Sequence, residues 1–176
     1  MSKLRSHRGS SKGKFVNNAL YINIGVRDFL MRLSARAARI YAEYVMKLAH
    51  EMMAHAEAAQ TMNPTDPTRY ELRKQHLLEA RAACSALDLE MELMYQHLMK
   101  NPLGAFDDLK KKEEAVGKLD DAEKRRKRIA QDAIHRLDSM SEQLGVLIDE
   151  EMAMLTAVLS SDRDAYKAAM RKQERS

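Results

Sequence analysis

The sequence predicts an all-α protein, an antiparallel four-helix bundle of long helices, and three observations predict it. Apolar residues recur at steps of three and four over long stretches, which is the helical period and, when sustained, a heptad seam. The composition includes 13 Met and no Trp, with only three Phe and six Tyr, and it favours helices over strands. The chain breakers fall in short clusters between the periodic runs, so successive helices should double back on one another. With 176 residues, 45% of them hydrophobic, the chain is long enough to bury one core.

Residues 1–14 are rich in Ser, Gly, Lys and Arg with almost nothing apolar, and read as a flexible basic arm that solubilises the end or meets anions. The bundle domain is expected over 15–162. Its lead-in, Phe15 to Gly25, interleaves Val16, Leu20, Ile22 and Ile24 with Asn17, Asn18 and Asn23, which leaves a short strand, a helix start or a packed lead-in open. From Val26 the helical period takes over through Leu30, Leu33, Ala37, Ile40, Tyr44, Leu48, Met52 and Ala59, and predicts a first long helix over 26–62. Asn63-Pro64-Thr65-Asp66-Pro67 ends it, with Asp or Thr available to cap the next helix and Pro67 allowed in its first turn.

The second helix, 68–100, carries the clearest seam: Tyr70, Leu77, Ala80, Cys84, Leu87, Met91, Met94 and Leu98. Arg73, Lys74, Glu79, Arg81, Asp88, Glu90 and Glu92 fall between these positions and are assigned to the solvent side. Such an amphipathic helix needs partners to be stable. Asn101-Pro102-Leu103-Gly104 is the next break. A short polar helix is predicted over 107–116, with little to bury. The last long helix is predicted over 119–159, with Ile129, Ala133, Leu137, Met140, Leu144, Ile148, Met152, Leu155 and Leu159 in register; Gly145 could mark a kink or a turn within it. Residues 163–176 read as a charged, frayed C-terminal tail.

The formal charge of +4 conceals an asymmetry. Residues 1–42 hold nine cations against Asp28 alone, a net of +8, while the other 134 residues hold 21 basic and 25 acidic groups, a net of −4. An anionic partner would therefore meet the N-terminal part first. Cys84, the single cysteine, excludes an internal disulfide and reads as a small core residue, consistent with a reducing, cytoplasmic setting. No apolar run is long enough for a membrane span, and the basic N-terminus lacks the apolar segment of a secretion signal.

Motifs for chemistry are missing. His50 and His55 are five apart, about 140° around a helix, whereas two ligands of one zinc belong four apart. No Glu is followed by His at the third position, which removes the usual di-iron ligand set of a bundle. No Gly-rich phosphate loop or nucleophile elbow occurs either. The expectation is a protein without catalytic residues, metal or cofactor.

What remains is basic charge. Arg32, Arg36 and Arg39 are spaced by four and three and form a ridge on one face of the predicted first helix. Lys124, Arg125, Arg126, Lys127 and Arg128 are the densest cationic run, with Arg136 further along the same helix. These nine residues are the candidate nucleic-acid-binding site, acting through phosphate contacts that do not read sequence. The competing reading is a solvated surface with intrahelical pairs such as Asp28 with Arg32 and Asp121 with Arg125. A helix-binding scaffold without nucleic acid is the rival function.

Two segments carry a family likeness. Asn63-Pro64-Thr65-Asp66-Pro67 with Tyr70-Glu71-Leu72-Arg73-Lys74 and Leu77-Leu78-Glu79-Ala80 forms one; Leu147-Ile148-Asp149-Glu150-Glu151 through Leu155 to Ser161-Asp162-Arg163 and Tyr166 forms the other. Together they resemble the four-helix accessory proteins of diversity-generating retroelements, the accessory variability determinants, which are related to four-helix proteins encoded in ribosomal RNA intervening sequences. The resemblance implies a basic homo-oligomer, a pentameric barrel in that family, that binds RNA or DNA and the element's reverse transcriptase. It would assist mutagenic copying of a template RNA without doing chemistry itself.

Overall fold

A computed structural model describes residues 13–100 and 106–174. The protein is all-α: its described residues form five helices and no strand, α1 (Lys14–Leu30), α2 (Ala35–Gln60), α3 (Pro67–Lys100), α4 (Phe106–Val116) and α5 (Asp121–Gln173). The basic arm up to Lys12 and the break at 101–104 lie outside the described residues.

The lead-in left open by the sequence is helix. Phe15, Val16, Ala19, Ile22, Val26, Phe29 and Leu30 follow the three-and-four spacing and are all buried in α1. The single helix expected over 26–62 is therefore two helices, parted at 31–34. No Pro or Gly marks this break. Ser34 makes it, leaving the helical conformation at ψ 151° and accepting the Ala37 N–H on its hydroxyl at 3.2 Å, an N-cap that starts α2. The apolar spacing runs unbroken through the turn, which hides it from periodicity alone.

The next boundary follows the sequence expectation. Pro67 opens α3 and Asp66 Oδ1 accepts the Arg69 N–H at 2.9 Å. All eight seam residues of α3, Tyr70 to Leu98, are buried. The short helix is present as α4, and Gly117, at φ 69°, closes it in the left-handed region where glycine costs least. Asp120 and Glu123 cap the start of α5 reciprocally, each side chain accepting the other's backbone N–H at 2.8 and 3.0 Å.

One expectation about α5 is corrected, and the question left open at Gly145 is answered. The helix continues through Gly145 without a turn, and it does not fray after 159 but runs to Gln173. Contacts explain the extension: Tyr166 stacks on Tyr70 at 4.2 Å between ring centroids, and buried Asp162 pairs with Arg73. The expected tail is helical as far as Gln173 and packs through Tyr166.

α1 lies against α2 and α5, and α3 against the same two helices, so α1, α2, α3 and α5 close a ring; among the described helices α4 touches α5 alone. Pairings fix the directions. Along α3 and α5, Tyr70 meets Tyr166, Arg73 meets Asp162, Cys84 meets the Ile148 carbonyl and Tyr95 meets Asp138. One number rises as the other falls, so these two helices run in opposite directions. The same holds for α2 and α3, through Tyr41 with His97 and His55 with His76. It holds again for α1 and α5, where Asn18 reaches Leu147 and Glu151 while Gly25 faces Leu144. A Cβ on Gly25 would stand 2.8 Å from Leu144 Cδ2, so glycine here lets α1 and α5 approach closely.

Arg73, assigned to solvent by its place off the seam, is buried. Its Nε donates to Asp162 Oδ2 at 2.5 Å, and Nη1 donates to the Ala59 and Met62 carbonyls at 2.5 and 3.2 Å. One guanidinium thus satisfies carbonyls at the end of α2 and ties α2, α3 and α5 together.

Candidate nucleic-acid interface

The nine candidate cations occupy one end of the molecule, where α1 passes into α2 and where α5 begins. Arg32 lies in the turn after α1, and Arg36 and Arg39 in the first two turns of α2. The expected ridge on a single helix is thus corrected: only Arg36 and Arg39 share a helix, because the chain reverses between Arg32 and Arg36. All three are exposed. The first turn of α2 holds no acidic residue, so its unpaired N–H groups add to the positive potential of these side chains.

The run from Lys124 to Arg128 forms the start of α5, and its members have different surroundings. Lys127 is half-buried and bridges to Glu113 on α4, while Lys124 pairs with Asp121 at 3.2 Å. Arg125, Arg126 and Arg128 are exposed, and among the described residues none of them forms an ion pair. The Asp121–Arg125 pair expected from spacing is replaced by Asp121–Lys124. A second α4–α5 bridge joins Lys112 to Glu123; its hydrogen bond holds the Glu123 carboxyl below the usual range and raises the Lys112 ammonium. Part of the basic run therefore holds α4 in place, and three arginines are left to meet a ligand.

Tertiary packing brings two of the nine cations, Arg32 and Arg136, to one groove; the other seven do not line it. Met31, Arg32, Ile129, Asp132, Ala133 and Arg136 line one groove of about 470 Å³ between the α1–α2 turn and α5. Arg32 and Arg136 are 104 positions apart in the chain and share its wall. Met31 and Ile129 are 78% and 54% exposed, although the apolar spacing puts Ile129 on the core stripe. The cause is length: α5 is 53 residues, about 80 Å at 1.5 Å per residue, and its first turns overhang the end of α1. Ile40 and Tyr44, which the spacing puts on the buried side, are exposed because α2 buries Val45, Leu48, Ala49, Met52, Ala56 and Ala59 instead.

One cationic feature had no sequence signal beyond a seven-residue spacing on a helix. Lys74 and Arg81 of α3 and Arg163 of α5 line a second groove, of about 320 Å³, with Leu78 and Leu159. Its acid, Asp162, is already neutralised by Arg73.

The two histidines of the apparent metal motif diverge as their spacing requires. His50 is exposed, whereas His55 turns to His76 on α3, with their Nδ1 atoms 2.9 Å apart. Among the described residues, no group of three or more His, Cys, Asp or Glu side chains is placed to hold a metal ion, and no helix is long and apolar enough to cross a membrane. Cys84 is fully buried on its seam and its thiol is pushed up to about 12, first by burial and then by nearby Glu151, which leaves it protonated and unreactive.

No family model matches the chain, and no curated protein or solved structure matches it either.

Proposed function

We propose that this protein binds nucleic acid through phosphate contacts at its basic end, as a non-catalytic accessory factor of a retroelement reverse transcriptase. In this reading the ring of α1, α2, α3 and α5 is an antiparallel four-helix bundle, and copies of it assemble into a homo-oligomeric, pentameric barrel. The polymerase partner and the barrel follow from the family resemblance. The nucleic-acid site rests on one observation: Arg32 and Arg136, from distant parts of the chain, converge on one groove. Arg36, Arg39, Arg125, Arg126 and Arg128 extend the cationic surface from it along α2 and α5. Exposed guanidiniums grouped in this way neutralise phosphates and release counterions.

The test is the affinity of the purified protein for a short RNA, followed by fluorescence anisotropy over a range of salt. Binding should weaken steeply as salt rises, and Arg125→Ala, Arg126→Ala and Arg128→Ala together should flatten the log–log slope by roughly two to three units, about one for each phosphate no longer neutralised. An unchanged slope removes these arginines from the site. The rival scaffold reading draws on exposed Met31 and Ile129; it expects association that ignores RNA and barely responds to salt.

A further inference from the structure

The groove between the α1–α2 turn and α5 is more than a cluster of cations. Arg32 and Arg136 flank a floor that includes Met31, Ile129 and Leu137, and the two most exposed of these apolar side chains, Met31 and Ile129, stand open to solvent. A duplex presents a regular, highly polar backbone. Its phosphates can meet the arginines, but they would cover Met31 and Ile129 with charged oxygens and gain nothing from that apolar surface. A single strand differs because its bases are free to turn out of the stack. It can lay a base against the apolar floor while its flanking phosphates reach Arg32 and Arg136.

We propose that this groove selects single-stranded over double-stranded nucleic acid, an inference that rests on the nucleic-acid reading above. The base is held by burial against Met31 and Ile129, so contact depends on strandedness and little on base identity. An acidic amphipathic helix is the other occupant with matching chemistry. The surroundings favour the polyanion: exposed Arg36 and Arg39 follow Arg32 at the start of α2, and exposed Arg125 and Arg128 precede Ile129 on α5. A strand with a charge at every residue can use all of these, whereas a helix with one acidic edge uses only the part beside the groove. Asp132 lines the groove as well and opposes any phosphate placed there.

Fluorescence anisotropy with an unstructured RNA strand and with the same strand paired to its complement separates the possibilities. The expected result is tighter binding of the single strand. The double variant Met31→Ser with Ile129→Ser alters two exposed positions, so folding is not at stake; it should weaken single-strand binding roughly tenfold and leave duplex binding within about twofold. Asp132→Asn should tighten both. If strand and duplex bind equally and the double variant changes neither, the selectivity is overturned while nucleic-acid binding stands. If neither RNA binds even at low salt, the functional reading falls with it. If a Glu-rich amphipathic peptide binds and loses affinity in the double variant while the RNA strand does not, the groove docks a protein helix and the inference is wrong.

Discussion

Glu151 shows how one side chain couples the core to pH. It is fully buried, its Oε2 accepts from Asn18 Nδ2 at 3.1 Å, and among the described residues its Oε1 has no hydrogen-bond partner. Burial raises its carboxyl from 4.5 to about 7, with the Asn18 hydrogen bond pulling weakly the other way. The folded state thus holds this proton more tightly than the unfolded chain. The stabilisation is complete below about pH 4.5, is lost as pH rises toward 7, and levels off above, a change of up to about 3 kcal/mol. Urea unfolding at pH 5 and pH 7.5 should show that loss, and Glu151→Gln should remove most of it. An identical pH dependence in wild type and variant would show that Glu151 titrates normally. Sequence spacing contained the clue: Leu144, Ile148, Glu151, Leu155 and Asp162 are all buried on one line of α5, steps of four, three, four and seven. The carboxylates escape a search for apolar periodicity because it counts only apolar residues, and both are tolerated inside because Asn18 and Arg73 face them.

At the scale of the element, glycines of similar sequence context have opposite roles. Gly145 lies inside α5 with nothing within 4 Å of the position a Cβ would take, whereas the same atom on Gly25 would meet Leu144 at 2.8 Å. Gly145→Ala should therefore stabilise the protein by up to about 1 kcal/mol, the helix-propensity difference. Gly25→Ala should fall short of that gain, since buried Leu144 must move. Chemical unfolding of both variants decides it, and an equal gain at the two sites would contradict the close approach of α1 and α5. The helix start at Asp66-Pro67, which carries side-chain and proline signals, was legible; the capping box of Asp120 and Glu123 was not read, and the sequence expectation puts that helix start at 119. The Ser34 turn was not legible either, because one N-cap serine between two in-phase apolar runs is a weak signal in a chain with many serines.

For the whole molecule, the lengths of the helices decide which parts are firmly held. α5, with 53 residues, exceeds α3, with 34, and where it extends past Tyr95–Asp138 its contact with α4 includes few buried apolar residues, Leu109 among them, and the Lys112–Glu123 and Lys127–Glu113 bridges. Partly exposed bridges of this kind contribute little and are screened by salt. Amide exchange in α4 and in the first three turns of α5 should therefore be faster than in the middle of α3, and should quicken further for α4 as salt rises. Uniform protection across α3 and α4 would mean that α4 belongs to the same cooperative unit. This region carries Arg125, Arg126 and Arg128, three of the arginines of the proposed interface, a placement that suits a surface required to adapt to its ligand.

The helical class, the seam of α3, most of α5's buried face and the collection of cations in two segments can all be read from the chain without its fold. Each follows from local chemistry: period, capping residues, breakers and charge density act within a few residues of where they are read. The separation of α1 from α2, the run of α5 past Asp162, the burial of Arg73 and Glu151, and the sharing of one groove by Arg32 and Arg136 come from packing. Those outcomes depend on the relative length and register of packed helices. Register is set by contacts between residues a hundred positions apart, which no local pattern records.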